Sequence, residues 1–397
     1  MLILPTINSF RGSPFVTAPH GVSRASGTCA SIVSSSGIGE KIAPSNLDLL
    51  VPDRLDLPIK NIFNVGIWQS LSSDIHPSMP DHLVQKLPDY VLSSRADSTR
   101  KKYTYGFNSW CKWSKLHCIS SLPASTAHIA LYLVHISETF NSTSKIDEAV
   151  YAISWAHKLA GFPNPCNSDL VISVREGSYR KIGHKINKKE PITANILSKI
   201  VHLYGQDCNN LKDVRIACMC LLSYAGFLRF SELANLKRSN VTFLPTHVKL
   251  FLEQSKTDVY REGRDVVISK TGNNTCPVAM LEHYMKLAQI AENSDEFVFR
   301  SLSYCSKSGT YKLRKNSPLS YTRAREVLLN ALETIGLDKK QFGLHSLRSG
   351  GATAAAAAGV EDRLFKKHGR WKSENAKDGY IKESIDNRLS VSKKLGI

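Results

Sequence analysis

Residues 343–360 read GLHSLRSGGATAAAAAGV: a histidine and an arginine three apart, then an alanine-rich run. Alanine is the best helix former, and Gly359 stands where a helix C-cap would. The spacing predicts a helix starting near His345, with His345 and Arg348 one turn apart on one face. Ala354 to Ala358 carry so little side chain that this helix is expected to lie close against its neighbours, buried. Two cations at its head then need an anionic partner, because an unpaired buried charge is costly. That partner is either a nearby Asp or Glu, in a structural ion pair, or an anion arriving from outside. The pair alone does not decide, so the rest of the chain must.

With 397 residues the chain is long for one domain, and two folded domains plus tails are expected. Its net charge of +18 points to a polyanionic partner, nucleic acid first, with a generally basic soluble protein as the plain alternative. The nine cysteines show no paired metal-ligand spacing, since Cys218 and Cys220 sit in an apolar run and Cys111 and Cys118 lack a second pair. No metal site is expected; the cysteines read as reduced packing residues of an intracellular protein. Apolar runs such as IALYLVH are too short to span a bilayer, and no secretory segment opens the chain.

Residues 1–80 are rich in Ser, Pro and Gly without sustained periodicity, and read as a mostly disordered leader. Arg11 and Arg24, the only charges before Glu40, give it a faint likeness to a transit peptide, but a plain spacer fits better. Residues 82–184 have helical periodicity. In DSTRKKYTYGFNSWCKWSKLH, the residues Tyr103, Phe107, Trp110, Cys111 and Ser114 form one face. Arg100, Lys101 and Lys102 lie on the rest, as a DNA-binding surface or merely a solvated one. STAHIALYLVHISETF, SKIDEAVYAISWAHKLAGF and NSDLVISVREGSYRKIGH predict three more helices, with Gly161, Phe162 and Pro163 as a stop signal. KIGHKINKKEP (181–191) reads as an interdomain linker, 185–191 being its basic part, and Lys185, Lys188 and Lys189 could neutralise phosphates. Residues 192–397 mix helical stretches with two strand-like runs, HVKLFLE and DVVIS, joined by a charged turn containing Gly263. That predicts an α+β domain, mostly helical, with a small antiparallel sheet.

Four patterns stand out in this second domain. SYAGFLRFSELANLK (223–237) carries Arg229 in a turn and Glu232 three residues on; by itself this is a surface pair. QSKTD (254–258) carries Lys256 near a strand end, by itself an ordinary turn lysine. The third is the opening His345/Arg348 pair. HGRWKSENAKDGYIK (368–382) carries Trp371 and Tyr380, by themselves plain helix residues. Taken in order, Arg, Lys, His-x-x-Arg, Trp and Tyr at these separations resemble the catalytic domain of the tyrosine recombinases, the phage integrase family. The pattern runs through 192–383, and the helical 82–184 region looks like that family's core-binding domain. The phrasing GRWKSENAKDGY and SKTDVYREG looks most like recombinases of eukaryotic Crypton and DIRS-type mobile elements and their phage-like relatives.

The resemblance implies transesterification at a DNA phosphodiester, with Tyr380 as nucleophile, a 3′-phosphotyrosyl intermediate, and neither metal nor ATP. Arg229 and Arg348 would clamp the phosphate bidentately, as Lys could not. The anion completing the opening pair would then be the scissile phosphate, with the alanine helix as a rigid mount. A free phenol has a pKa of about 10, so the nucleophile needs a cationic setting or a base. His345 would exchange protons or bond a phosphate oxygen, and Lys256 would protonate the leaving 5′-oxygen. Trp371 would donate its indole N–H; many relatives have His there, and the spacing to Tyr380 favours Trp371 over nearby His368. Glu232 would orient its neighbours. The tail after Tyr380 is either a short amphipathic helix, which in relatives docks on a neighbouring protomer, or a frayed end.

The same resemblance implies two domains gripping opposite faces of duplex DNA, two protomers on a site and four in the synapse, and no membrane. Localisation would be nuclear in a eukaryote and otherwise cytoplasmic. Three other readings stand beside it: a retired or domesticated DNA-binding protein, a type IB topoisomerase, and a non-catalytic scaffold with coincidental motifs. The target DNA sequence is not legible, because base readout depends on placed side chains.

Overall fold

The structure is a computed structural model that describes residues 61–183, 188–205, 209–256, 258, 260 and 262–396. The chain divides into two compact units, one up to His184 and one from Lys185. Lys185 and residues 1–60 of the expected leader lie outside the described residues.

In the first unit the described helices are α1 (Ile67–Asp74), α2 (Asp81–Ser93), α3 (Asp97–Leu116), α4 (Thr126–Phe140), α5 (Thr143–Ala160) and α6 (Asp169–Ile182). The α3 face follows the periodicity: Phe107, Trp110 and Ser114 are buried. Trp110 also donates its indole N–H to Ser121 O at 2.9 Å, so a large ring enters the core without orphaning its polar atom. Gly106 lets α3 press on α5, since a Cβ there would lie 2.8 Å from the Ala152 Cβ. Gly161 ends α5 in the left-handed region, at φ 75°, as its stop signal requires.

The expected disordered leader needs correcting over 61–80. Ile62 is buried in the helical core, and Trp68 Nε1 donates to Leu159 O at 2.8 Å. Composition hid this because the short cluster Ile62, Phe63, Val65 and Trp68 is too brief to set up a sustained periodicity.

The second unit is built round α8 (Leu211–Ala225), whose buried residues run from Leu211 to Ser223. Helices α7 (Ala194–Tyr204) and α10 (Pro277–Leu287) pack on it. Cys218 and Cys220 are buried there, and burial raises both thiol pKa values, which suits packing and not chemistry. An antiparallel sheet is ordered β1 (Val241–Phe243), β2 (His247–Leu252), β3 (Arg264–Ser269). The pairs Val248↔Ile268 and Leu250↔Val266 face the core, as period-two alternation demands. A second hairpin, β4 (Arg300–Cys305) with β5 (Thr310–Pro318), is absent from the sequence reading. Its polar, largely exposed strands carry too weak an alternation to announce themselves. Then follow α11 (Tyr321–Thr334), α12 (His345–Ala357), α13 (Asp362–Gly369), α14 (Glu374–Asp378) and α15 (Ile385–Lys393), with the five-residue α9 (Phe230–Ala234) just after α8.

Helix α12 starts at His345 as expected, but the alanines are not what buries it. Ala354, Ala357 and Ala358 are exposed, whereas Gly350, Gly351 and Ala352 are buried. A Cβ on Gly350 would sit 1.9 Å from Ile192 O, and one on Gly351 2.1 Å from Tyr224 O. The close approach is therefore backbone to backbone, one turn after the histidine–arginine pair. Gly350→Ala is expected to cost about 1–3 kcal/mol or more by overpacking, read as a lower urea midpoint. Ala357→Ser, on the exposed side, should stay within about 0.5 kcal/mol.

Candidate active site

Helix α8 stops at Ala225 because Gly226 and then Phe227, at φ 46°, turn the chain sharply. The turn delivers Arg229 to the N-cap of α9. Glu232 caps it: Oε2 accepts the Arg229 backbone N–H at 2.8 Å, and Oε1 accepts Arg229 Nη1 at 2.7 Å. The pair that looked like a surface salt bridge is thus buried, with the Glu232 side chain wholly inaccessible.

From α12, Arg348 reaches the same turn. It is fully buried and donates to Phe227 O and, at 2.6 Å, to Gly369 O. Its guanidinium lies 5.0 Å from the Trp371 ring and 4.8 Å from the Tyr380 ring, both within cation–π range. Arg370 stands in the left-handed region at φ 57° and is also buried. Its Nη2 donates to Glu232 Oε2 at 2.9 Å. Glu232 Oε2 is also 3.8 Å from Arg348 Nη1. One carboxylate therefore serves three guanidiniums, and among the described residues no other acid ion-pairs with any of them.

The nucleophile candidate sits on the next turn. Phe227, Ala352, Phe365 and Trp371 form a small apolar cluster with Tyr380 packed on it, the Trp371 and Tyr380 rings 5.7 Å apart. Lys377 of α14 ties that helix to α13 through Asp362. Thr353 of α12 holds the following strand of chain by accepting Lys382 N–H at 3.1 Å. Trp371 Nε1 is buried without a hydrogen-bond partner, as is Arg348 Nε. Buried donors of this kind are expensive unless something completes them.

The two candidates for the indole position have different surroundings. His368 Nε2 lies 2.8 Å from Ala225 O, and its ring stacks edge-on against Phe227. Its ring nitrogen is taken by the turn, while the Trp371 N–H is free to meet a ligand. His345 stands near enough to Arg348, Arg229 and Lys256 for their charge to count. Partial loss of hydration at its ring first, then those three cations, lowers its pKa, so it is neutral near pH 7 and can both give and take a proton, while the residue as a whole stays exposed. Burial and the neighbouring Arg229 and Arg370 charges also lower the Arg348 pKa. Lys256 is exposed in the β2–β3 connection, past the end of β2 at Leu252. Arg229, Glu232, Arg348, Trp371 and Tyr380 thus make one contiguous group, with His345 beside it and Lys256 on a loop. Arg370 was missed by the sequence reading; the signal was a second cation directly before Trp371.

The expected DNA contacts are more scattered. Lys101 and Lys102 are exposed on α3, while Arg100 pairs with Asp97 at 2.9 Å. Lys188 and Lys189 are exposed, and Lys189 Nζ donates to Lys340 O.

Comparison with known proteins bears on the second unit first. Residues 192–385 match the phage integrase family. An integrase/recombinase XerD homolog of Selenomonas ruminantium is 28% identical over 304 residues, covering 75% of this chain and 86% of that protein. Recombinase Cre of Escherichia phage P1 is 20% identical over 299 residues, covering 72% and 84%. Among solved structures, the Tn1549 transposon integrase in complex with transposon right end DNA aligns with a TM-score of 0.50 at 12% identity, covering 76% of this chain and 95% of that one. That last likeness speaks for the fold alone. The second unit of this chain therefore carries a phage integrase family domain.

Proposed function

We propose that this protein is a site-specific DNA recombinase that cuts and rejoins strands through a 3′-phosphotyrosyl bond to Tyr380. One observation carries the reading: three buried guanidiniums share a single carboxylate, and one of them, Arg348, lies against the ring of that tyrosine. A buried excess of positive charge is stable only if an anion completes it, and the donors present suit a phosphate.

The Tyr380 hydroxyl attacks phosphorus, forming a P–O bond to the phenol as the P–O5′ bond breaks. The phenolic proton leaves and the 5′-oxygen gains one. Arg229 and Arg348 hold the non-bridging oxygens, where negative charge builds, and the Trp371 N–H adds a third donor. Neutral His345 exchanges a proton at the phosphate, and Lys256, on its loop, protonates the leaving oxygen. The ester to tyrosine keeps the bond energy, so a different 5′-hydroxyl can reverse the step without ATP or a metal. Exchange between two duplexes breaks four strands, one tyrosine each, which calls for two protomers on each site and four in the synapse. No helix among the described residues is long and apolar enough to cross a membrane. A partner of duplex DNA would place the protein inside the cell, in the nucleus of a eukaryote and otherwise the cytoplasm.

The test is covalent trapping. The chain is incubated with nicked DNA that includes sequence flanking its own gene, denatured, and the attached DNA sequenced. A specific adduct is expected from the native chain and none from Tyr380→Phe. Specific, salt-sensitive binding without an adduct would favour a retired DNA-binding protein instead. Relaxation of arbitrary plasmids by the monomer would favour a topoisomerase. Lys101, Lys102, Lys188 and Lys189 are proposed as phosphate contacts. Lys102→Ala should then weaken binding alike on all sequences and lower the slope of log K against log salt by about one unit.

A further inference from the structure

Arg370 has no role in the chemistry just described, yet it is among the most fully enclosed charges in the chain, at 3% exposure. Its side chain makes four hydrogen bonds. Nη1 donates to Gly226 O at 3.1 Å and His368 O at 2.7 Å, and Nη2 to Phe227 O at 2.7 Å and Glu232 Oε2 at 2.9 Å. Three of those acceptors belong to the segment that positions Arg229, and Phe227 O also receives Arg348. The backbone of Arg370 is left-handed, so the turn aiming the next residue, Trp371, is built on it as well.

Consider the charges without it. Glu232 would face Arg229 and Arg348 only, and a buried carboxylate takes whatever cation is in reach. Arg348 Nη1 is 3.8 Å away and would close on it. Each charge drawn to Glu232 is one no longer available to a phosphate. With Arg370 in place, Oε2 is already held by a group whose hydrogen bonds go to the turn.

We propose that Arg370 is a positioning residue of this site: it holds Glu232 Oε2 and shares the Phe227 carbonyl with Arg348, which keeps Arg348 off the carboxylate and leaves it its charge and reach for a DNA phosphate. The inference rests on the recombinase reading above, and it assigns Arg370 no contact with substrate.

The experiment uses the full-length chain and the DNA site recovered by trapping, in two forms: the natural phosphate, and a methylphosphonate at the scissile position, which is neutral. Single-turnover cleavage is measured for the native chain, Arg370→Met and the milder Arg370→Lys, below the onset of thermal unfolding of each. On the natural phosphate, Arg370→Met should be about 30-fold slower, somewhat less than loss of a direct oxyanion donor. On the methylphosphonate, where less charge needs balancing, its deficit should shrink to about threefold, and Arg370→Lys should fall between on both. A general loss of folded enzyme would slow both substrates equally; equal deficits therefore overturn the inference, as does a natural-phosphate rate within threefold of native. A native chain that forms no adduct on the DNA it binds specifically overturns the recombinase reading, and this inference with it. A native adduct with either failing pattern overturns this inference alone.

Discussion

Tyr380→Phe is expected to leave a folded protein that still binds its DNA and never becomes attached to it. The substitution removes one oxygen and keeps the ring. That ring lies 4.8 Å from the Arg348 guanidinium and 5.7 Å from Trp371, and a phenyl face keeps both contacts. The backbone beyond it stays held by Thr353, which accepts Lys382 N–H at 3.1 Å. Among the described residues no neighbour loses a side-chain hydrogen bond to the tyrosine, since Thr353 bonds its main-chain oxygen instead. Melting temperature should therefore be nearly unchanged, and affinity should stay within about threefold, because phosphate contacts elsewhere carry it. Cleavage should fall by about 10⁴-fold or more, the loss typical of removing a covalent nucleophile. Denaturing gels of end-labelled DNA report the adduct, and gel shifts of the same samples report binding. An adduct that survives the substitution would place the nucleophile elsewhere.

The order of polar residues in the second unit was enough to gather its site, because each sits at a structural boundary that the sequence marks. Arg229 follows the glycine that stops α8, His345 begins an alanine helix, and Trp371 opens the turn after α13. Other features were hidden for a physical reason. Gly350 looks like an ordinary small residue in a small-residue run, and only the path of Ile192 past it reveals the contact. Arg370 looks like one more basic residue in a chain of 52 Lys and Arg; its burial depends on Glu232, 138 positions earlier. The β4–β5 hairpin and the packing of Ile62 failed to show for a related reason. Periodicity reports elements with a sustained apolar face, and neither has one.

Replacing Glu232 should produce the largest stability loss among the site residues. Its side chain is inaccessible, and Arg229 and Arg370 hold its two oxygens at 2.7 and 2.9 Å. Glu232→Ala would leave three guanidiniums facing one another without a counter-ion, at a cost of about 3–5 kcal/mol. Glu232→Gln can still accept the Arg229 N–H through its one oxygen, so the cap survives, while the charge and the acceptor that faces Arg229 Nη1 are lost. The pH dependence isolates that charge. Burial raises the Glu232 pKa, but Arg370, the Arg229 N–H and the Arg229 guanidinium outweigh it, and the net position is below the ordinary value of 4.5. A carboxyl that titrates lower folded than unfolded stabilises the fold fully above the unfolded value. That contribution disappears as pH falls through the folded one. Urea unfolding from neutral pH down through the acid range should therefore show the native chain losing stability more steeply than Glu232→Gln. The two curves should approach each other at the acid end, where the native side chain is itself neutral. If they stay parallel, the carboxylate is not the counter-ion of this cluster. The comparison also bears on catalysis: Glu232→Gln frees Arg229 and Arg370 of their counter-charge. DNA phosphate would then be held more tightly before reaction, with less gained on reaching the transition state. Tighter binding with slower cleavage is the expected pair of results, read from gel shifts and single-turnover rates on one DNA site.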